Sequence, residues 1–68
     1  MTAYAKKILN LINGSSSHMT AEQIFLELKK TEPKIVLASV YNNLGTLSAE
    51  GLIRKIGMDG AADRYDKT

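Results

Sequence analysis

The amino-acid sequence predicts an α+β fold, three helices followed by a two-stranded β-hairpin, in one small domain covering residues 1–68. Three observations carry this. Apolar residues recur at helical spacing in three successive segments that end at Gly51. Beyond Gly51 the pattern becomes extended and β-rich. An Asp-Gly turn signal at Asp59-Gly60 separates the two extended runs.

The first helix is expected over Ala3–Asn13, where Tyr4, Ile8, Leu11 and Ile12 form an apolar stripe, with Thr2 as N-cap and Gly14 as the stop. Gly14 to Ser17 reads as a flexible turn that continues through His18 and Met19 as loop. A capping box follows, in which Thr20 and Gln23 bond each other's backbone N–H groups, so the second helix starts at Ala21. Ala21, Ile24, Phe25 and Leu28 send one stripe of it into the core, and Leu26 is stranded on the outer side. Lys29 and Lys30 suit the negative end of its dipole, and Pro33 prevents continuation.

The third helix occupies the stretch from Lys34 to Gly51 after a short connection, Thr31 to Val36, and Gly51 is its left-handed terminator. Leu37, Val40, Leu44 and Leu47 make its core stripe. The opposite side carries Ala38, Ser39, Asn42, Thr46 and Ala49, and no charged residue stands between Ile35 and Ala49. A solvated helix face ordinarily carries Lys, Glu or Arg. A face kept small and neutral admits a close visitor, and its chemistry suits the major groove of double-stranded DNA. An amide at Asn42 or Asn43 pairs with adenine, Ser39 meets either kind of base edge, and Ala38 or Tyr41 packs on a thymine methyl. These five residues are the candidate base readers, and they favour A·T-rich targets. The alternative is a face that meets water or another protein, in a domain used as an interaction module.

Leu52–Ile56 and Ala62–Asp66 are the expected strands of the hairpin, which must pack on the helices because a lone hairpin is marginal in water. Three helices and a hairpin in this order describe a winged helix-turn-helix domain, with the third helix presented outward. Arg54, Lys55 and Arg64 of the wing are candidate phosphate contacts, together with Lys34 and Thr46. The plainer reading of the wing cations is solvated strand charge that blunts a sheet edge.

Composition narrows the function further. A 68-residue chain buries only about 60% of its unfolded surface and does not easily hold a deep catalytic cleft. Nine Lys+Arg against seven Asp+Glu give a net charge of +2, mildly basic and compatible with phosphates. With no cysteine, one histidine and no Gly-rich phosphate loop, an enzyme is not expected. Nor are disulfides or thiolate metal sites. No apolar run approaches the roughly 18 residues of a membrane span, and the N-terminus lacks the apolar core of a signal peptide, so no membrane partner and a cytoplasmic location are expected.

Four blocks of the sequence are similar to a known family: His18–Ile24 (HMTAEQI), Leu37–Leu44 (LASVYNNL), Glu50–Ile53 (EGLI) and Asp63–Asp66 (DRYD). In order and spacing they resemble the DNA-binding half of the ferric uptake regulator family. The VYNNL spelling is most similar to the peroxide-sensing repressors, because iron-sensing members usually have arginine where Asn42 stands. The resemblance implies a bacterial, homodimeric, metal-dependent transcriptional repressor that places its third helix in the major groove of an A·T-rich inverted repeat. It makes Tyr41 the thymine-contacting tyrosine, with Ala38 and Asn42 beside it.

The resemblance also implies two ligands of a regulatory metal, His18 before the second helix and Asp66 on the second wing strand. The family's other ligands, and its dimer contacts, come from a hinge and a C-terminal domain that these 68 residues do not include. Iron, manganese or zinc is therefore implied for a full-length member and no cofactor for this chain alone, in which His18 and Asp66 read as a loop histidine and a solvated carboxylate. The sequence departs from the family at Val36, where serine is usual, so the third helix should lack a side-chain N-cap. It departs again at Ala3, Tyr4 and Ala5, where proline, glutamine and arginine are common.

Overall fold

The computed structural model describes residues 1–57 and 63–68. The elements are α1 (Ala3–Gly14), β1 (Met19–Thr20), α2 (Ala21–Lys29), α3 (Leu37–Ala49), β2 (Ile53–Ile56) and β3 (Arg64–Lys67). The Asp59-Gly60 turn and the start of the second strand at Ala62 lie outside the described residues. The sheet is three-stranded, antiparallel, in the order β1-β3-β2. The wing therefore has one strand more than the expected hairpin: Met19 and Thr20, read as loop and cap, pair with Tyr65 and Arg64.

Each helix starts and stops for local reasons. Thr2 caps α1 by accepting from the Ala5 N–H at 3.1 Å. Gly14 stays inside α1, and the extended Ser15 ends it by donating its N–H to the Ile12 carbonyl. The following turn is organised by Ser15, whose hydroxyl donates to the Ser17 carbonyl at 2.6 Å, while the Lys67 ammonium of β3 donates to the Ser15 carbonyl at 2.9 Å.

The capping box of α2 is complete. The Gln23 N–H donates to Thr20 Oγ1 at 3.2 Å and the Thr20 N–H donates to Gln23 Oε1 at 2.9 Å. Thr20→Ala removes half of this box and is expected to cost about 1 kcal/mol. In a domain of this size that is a fall of about 4–8 °C in thermal midpoint, measurable by circular dichroism.

At the other end of the scale, α3 starts at Leu37 with Val36 in the N-cap position and no side-chain cap, as the missing serine predicts. Its C-terminus is firmly closed. Gly51 has φ +76°, the one positive φ among the described residues, and its N–H donates to the Ser48 carbonyl while Leu52 N–H donates to the Leu47 carbonyl. That pair of bonds is a Schellman closure, and it turns the chain from helix to strand.

The core joins all three helices to the sheet. Ala5, Ile8 and Ile12 of α1, Ala21, Ile24 and Leu28 of α2, and Val40, Leu44 and Leu47 of α3 are buried with Ile35, Ile53 and Tyr65. Three residues placed on core stripes by periodicity, Tyr4, Leu11 and Phe25, are instead half-buried against its edge. Leu37 is half-buried too, and Ile35, in the loop before α3, takes the buried place. Leu26 is 62% exposed, as its phase on α2 requires.

Candidate nucleic-acid interface

Burying Val40, Leu44 and Leu47 turns the neutral side of α3 outward. Ala38, Tyr41, Asn42, Gly45, Thr46 and Ala49 are exposed, and Ser39 and Asn43 are half-buried at the flank. The five candidate base readers thus divide into residues that face solvent and residues already occupied within the fold.

Asn43 is the occupied one. Its amide nitrogen donates to the Ser39 carbonyl at 2.7 Å, and its amide oxygen accepts from the Thr2 hydroxyl at 2.9 Å. Thr2 therefore serves two helices, accepting from α1's first turn and donating to α3. Asn42 makes no side-chain hydrogen bond among the described residues, so its amide is free to meet a base edge. Thr46, a candidate phosphate contact, is exposed and its hydroxyl donates back to the Asn42 carbonyl at 3.2 Å.

Tyr41 is held from another element. Its hydroxyl donates to Glu22 Oε1 in the first turn of α2 at 3.3 Å, while 46% of the residue remains exposed. Loss of water around the phenol, then the charge and hydrogen bond of Glu22, raise its pKa above the ordinary tyrosine value. Smaller effects in the same direction come from Tyr65 and Asp63 of the wing. Glu22 was missed from sequence because it stands 19 residues from its partner, with no local signal linking the two.

The wing cations do not form one cluster. Strand alternation puts Arg54 with Asp66, and Ile56 with Arg64, on one face of the sheet, and puts Lys55 beside Tyr65 on the other. Lys55 is paired with Asp63 at 3.1 Å; this hydrogen bond, then the carboxylate's charge, holds the ammonium above the usual lysine value. Lys34 is exposed in the connection before α3.

Glycine at position 45, in the middle of the exposed face, has nothing within 4 Å of where a Cβ would sit. Its helical backbone suits alanine equally well, so Gly45→Ala is expected to stabilise the free domain by about 0.5–1 kcal/mol. Urea denaturation will read this as a higher midpoint at unchanged slope.

His18 and Asp66 are brought together, Nδ1 to Oδ2 at 3.1 Å, by the pairing of β1 with β3. The other oxygen of Asp66 accepts the Lys67 N–H at 2.8 Å. An imidazole nitrogen and a carboxylate oxygen are donors that zinc, manganese or iron accepts, but they are two of the at least four a stable site needs. Among the described residues no group of three or more His, Cys, Asp or Glu side chains is placed to hold a metal ion, nor is any helix long and apolar enough to cross a membrane.

Comparison with known proteins agrees with this architecture. The profile described as "Ferric uptake regulator family" matches residues 1–68. The peroxide operon regulator of Bacillus subtilis is 32% identical over 66 residues, which are 97% of this chain and 46% of that protein. The solved structure of the peroxide-sensing regulator PerR from Streptococcus pyogenes superposes with a TM-score of 0.90 at 31% identity, over 98% of this chain and 46% of that one. The Helicobacter pylori ferric uptake regulator gives a TM-score of 0.93 at 19% identity over 98% of this chain and 45% of that one, a likeness of fold. The chain spans about half the length of the relatives it matches.

Proposed function

Since the chain belongs to the ferric uptake regulator family, we propose that residues 1–68 are the DNA-binding domain of a metal-responsive bacterial repressor of the peroxide-regulator type, working in the cytoplasm. In this reading α3 enters the major groove of an A·T-rich operator. The observation that supports it best is the outer face of α3, uncharged along its length and presenting Asn42 and Tyr41 to solvent.

Asn42 would pair with adenine, and the Tyr41 ring, Ala38 and the Ser39 side chain would line the same base edges. Lys34, Thr46, Arg54, Lys55 and Arg64 are the groups available for flanking phosphates, fixing register without reading sequence. Lys55 would have to exchange Asp63 for a phosphate, so Arg54 and Arg64 are the readier contacts. An inverted repeat would be read by a homodimer, whose contacts, like the remaining metal ligands, would come from a C-terminal domain of a longer protein. His18 and Asp66 would supply two ligands to its iron, manganese or zinc, holding β1 against β3.

The deciding experiment is fluorescence anisotropy of this chain with an A·T-rich inverted-repeat duplex and a G·C-rich control, at two salt concentrations with chelator present. Tighter binding to the A·T-rich duplex is expected, with a log–log salt slope of about −2 to −4 for the few phosphates one module neutralises. Equal binding to both, or none, would turn the neutral face toward a protein partner. In parallel, isothermal titration of the chain with manganese or zinc is expected to show no saturable 1:1 binding at micromolar concentrations. Such binding would mean that His18 and Asp66 have ligand partners within this chain.

A further inference from the structure

Two carboxylates of the wing, among the described residues, are paired across elements of the fold. Asp63 is paired with Lys55, and Asp66 with His18. Glu22 has no cationic partner among the described residues, and its carboxylate accepts from the Tyr41 hydroxyl. An unpaired carboxylate beside a surface meant for phosphates opposes binding, so its presence calls for a compensating task.

The task is legible in the geometry. Tyr41 projects from the recognition helix with nearly half its surface in water, and an exposed aromatic side chain otherwise samples several rotamers. The hydrogen bond that the phenol donates to Glu22 at 3.3 Å restrains the ring from its far end. The backbone that carries Glu22 is set by the complete Thr20–Gln23 capping box at the start of α2. An uncharged phenol is the form tyrosine ordinarily takes at neutral pH, so the hydroxyl is available to donate to Glu22 there. The tie also links α2 to α3 at the exposed end of their packing.

We infer that Glu22 is a positioning and specificity-determining residue for DNA recognition: it orients the Tyr41 ring for the base edge through its hydrogen bond, and its unpaired charge lowers affinity for any duplex bound through phosphates alone. This rests on the DNA-binding reading given above. The two halves separate by substitution. Glu22→Gln keeps an acceptor oxygen and loses the charge, whereas Glu22→Ala loses both. Tyr41→Phe keeps the ring and loses the donor.

Anisotropy with the same two duplexes, on the full 68-residue chain, gives the ratio of A·T-rich to G·C-rich affinity. Glu22→Gln should bind both duplexes about 2- to 5-fold more tightly, the range of one weakly screened repulsion, with the ratio kept. Glu22→Ala should bind both more tightly as well but lose about 3- to 10-fold of the ratio, the size of one hydrogen bond. Tyr41→Phe should lose the same factor, and the Glu22→Ala/Tyr41→Phe double variant no more than either single. Glu22 is exposed, and thermal melts must show each variant folded at the assay temperature. Recovery of the ratio in Glu22→Gln distinguishes positioning from a general structural effect. A wild-type ratio that survives Glu22→Ala, or losses that add in the double variant, would overturn the proposal while leaving DNA reading intact. Equal affinity of the wild-type chain for both duplexes would overturn DNA reading, and this proposal with it.

Discussion

Replacing Leu44 with alanine is expected to destabilise the domain by about 2–5 kcal/mol, the range for emptying a fully buried leucine site. Leu44 is 0% exposed and sits among residues from both other helices and the sheet. A 68-residue chain at ordinary stability has only about 3–10 kcal/mol in total. The substitution is therefore expected to unfold a large share of the molecules at 37 °C, seen as lost helical signal at 222 nm. Leu26→Ala, on the exposed side of the neighbouring helix, should change stability by less than about 0.5 kcal/mol. A small effect at Leu44 would mean that α3 docks on the core loosely, and its outer face would then be a poor platform for reading anything.

The second large effect concerns recognition. Asn42→Ala is expected to reduce the preference for A·T-rich over G·C-rich duplex by about 5- to 150-fold, the equivalent of the 1–3 kcal/mol carried by one bidentate amide–adenine pair. Its thermal midpoint should barely move, because the Asn42 amide bonds nothing in the described fold. Asn43→Ala should behave in the opposite way. It breaks the link from Ser39 through Asn43 to Thr2, lowering stability by about 1 kcal/mol, with the base preference kept. Two adjacent asparagines then report separately on folding and on reading, and a reversal of their roles would show that Asn43 leaves Thr2 to meet the base edge.

How much of this the sequence disclosed follows the range of the interactions. The helices, the capping box at Thr20, the terminator at Gly51 and the absent cap at Val36 all depend on residues within a few positions of one another. They were legible, with ends correct to a residue or so. The core stripes were legible in phase but not in extent: periodicity places Tyr4, Phe25 and Leu37 on the inner side, yet only the packing of neighbouring elements decides how deep each sits. β1 was not legible, because two residues show no alternation, and what makes Met19–Thr20 a strand is Arg64–Tyr65 far along the chain.

The site divides in the same way. The neutral face of α3 could be read from spacing, and the closeness of His18 to Asp66 was implied by the family resemblance. What Asn43 and Tyr41 bond to could not be read, since Thr2 is 41 residues from one and Glu22 is 19 from the other. Strand alternation alone separates Arg54 from the adjacent Lys55, but which of them shares a face with Arg64 depends on the register of β2 against β3.

The strand order has a consequence for how the molecule is made. β3 comes last in sequence among the described strands but lies in the middle of the sheet. While the chain is leaving the ribosome, β1 and β2 have emerged but lack the strand that joins them, and the core lacks Tyr65. The helices can assemble early through local contacts, whereas the sheet must wait for a contact between Thr20 and Arg64 that spans most of the chain. Completion is thus a late, long-range step. A pause in translation just before Tyr65 would hold the nascent chain as a helical cluster with one apolar flank uncovered, the state in which it is most exposed to chaperones and to aggregation.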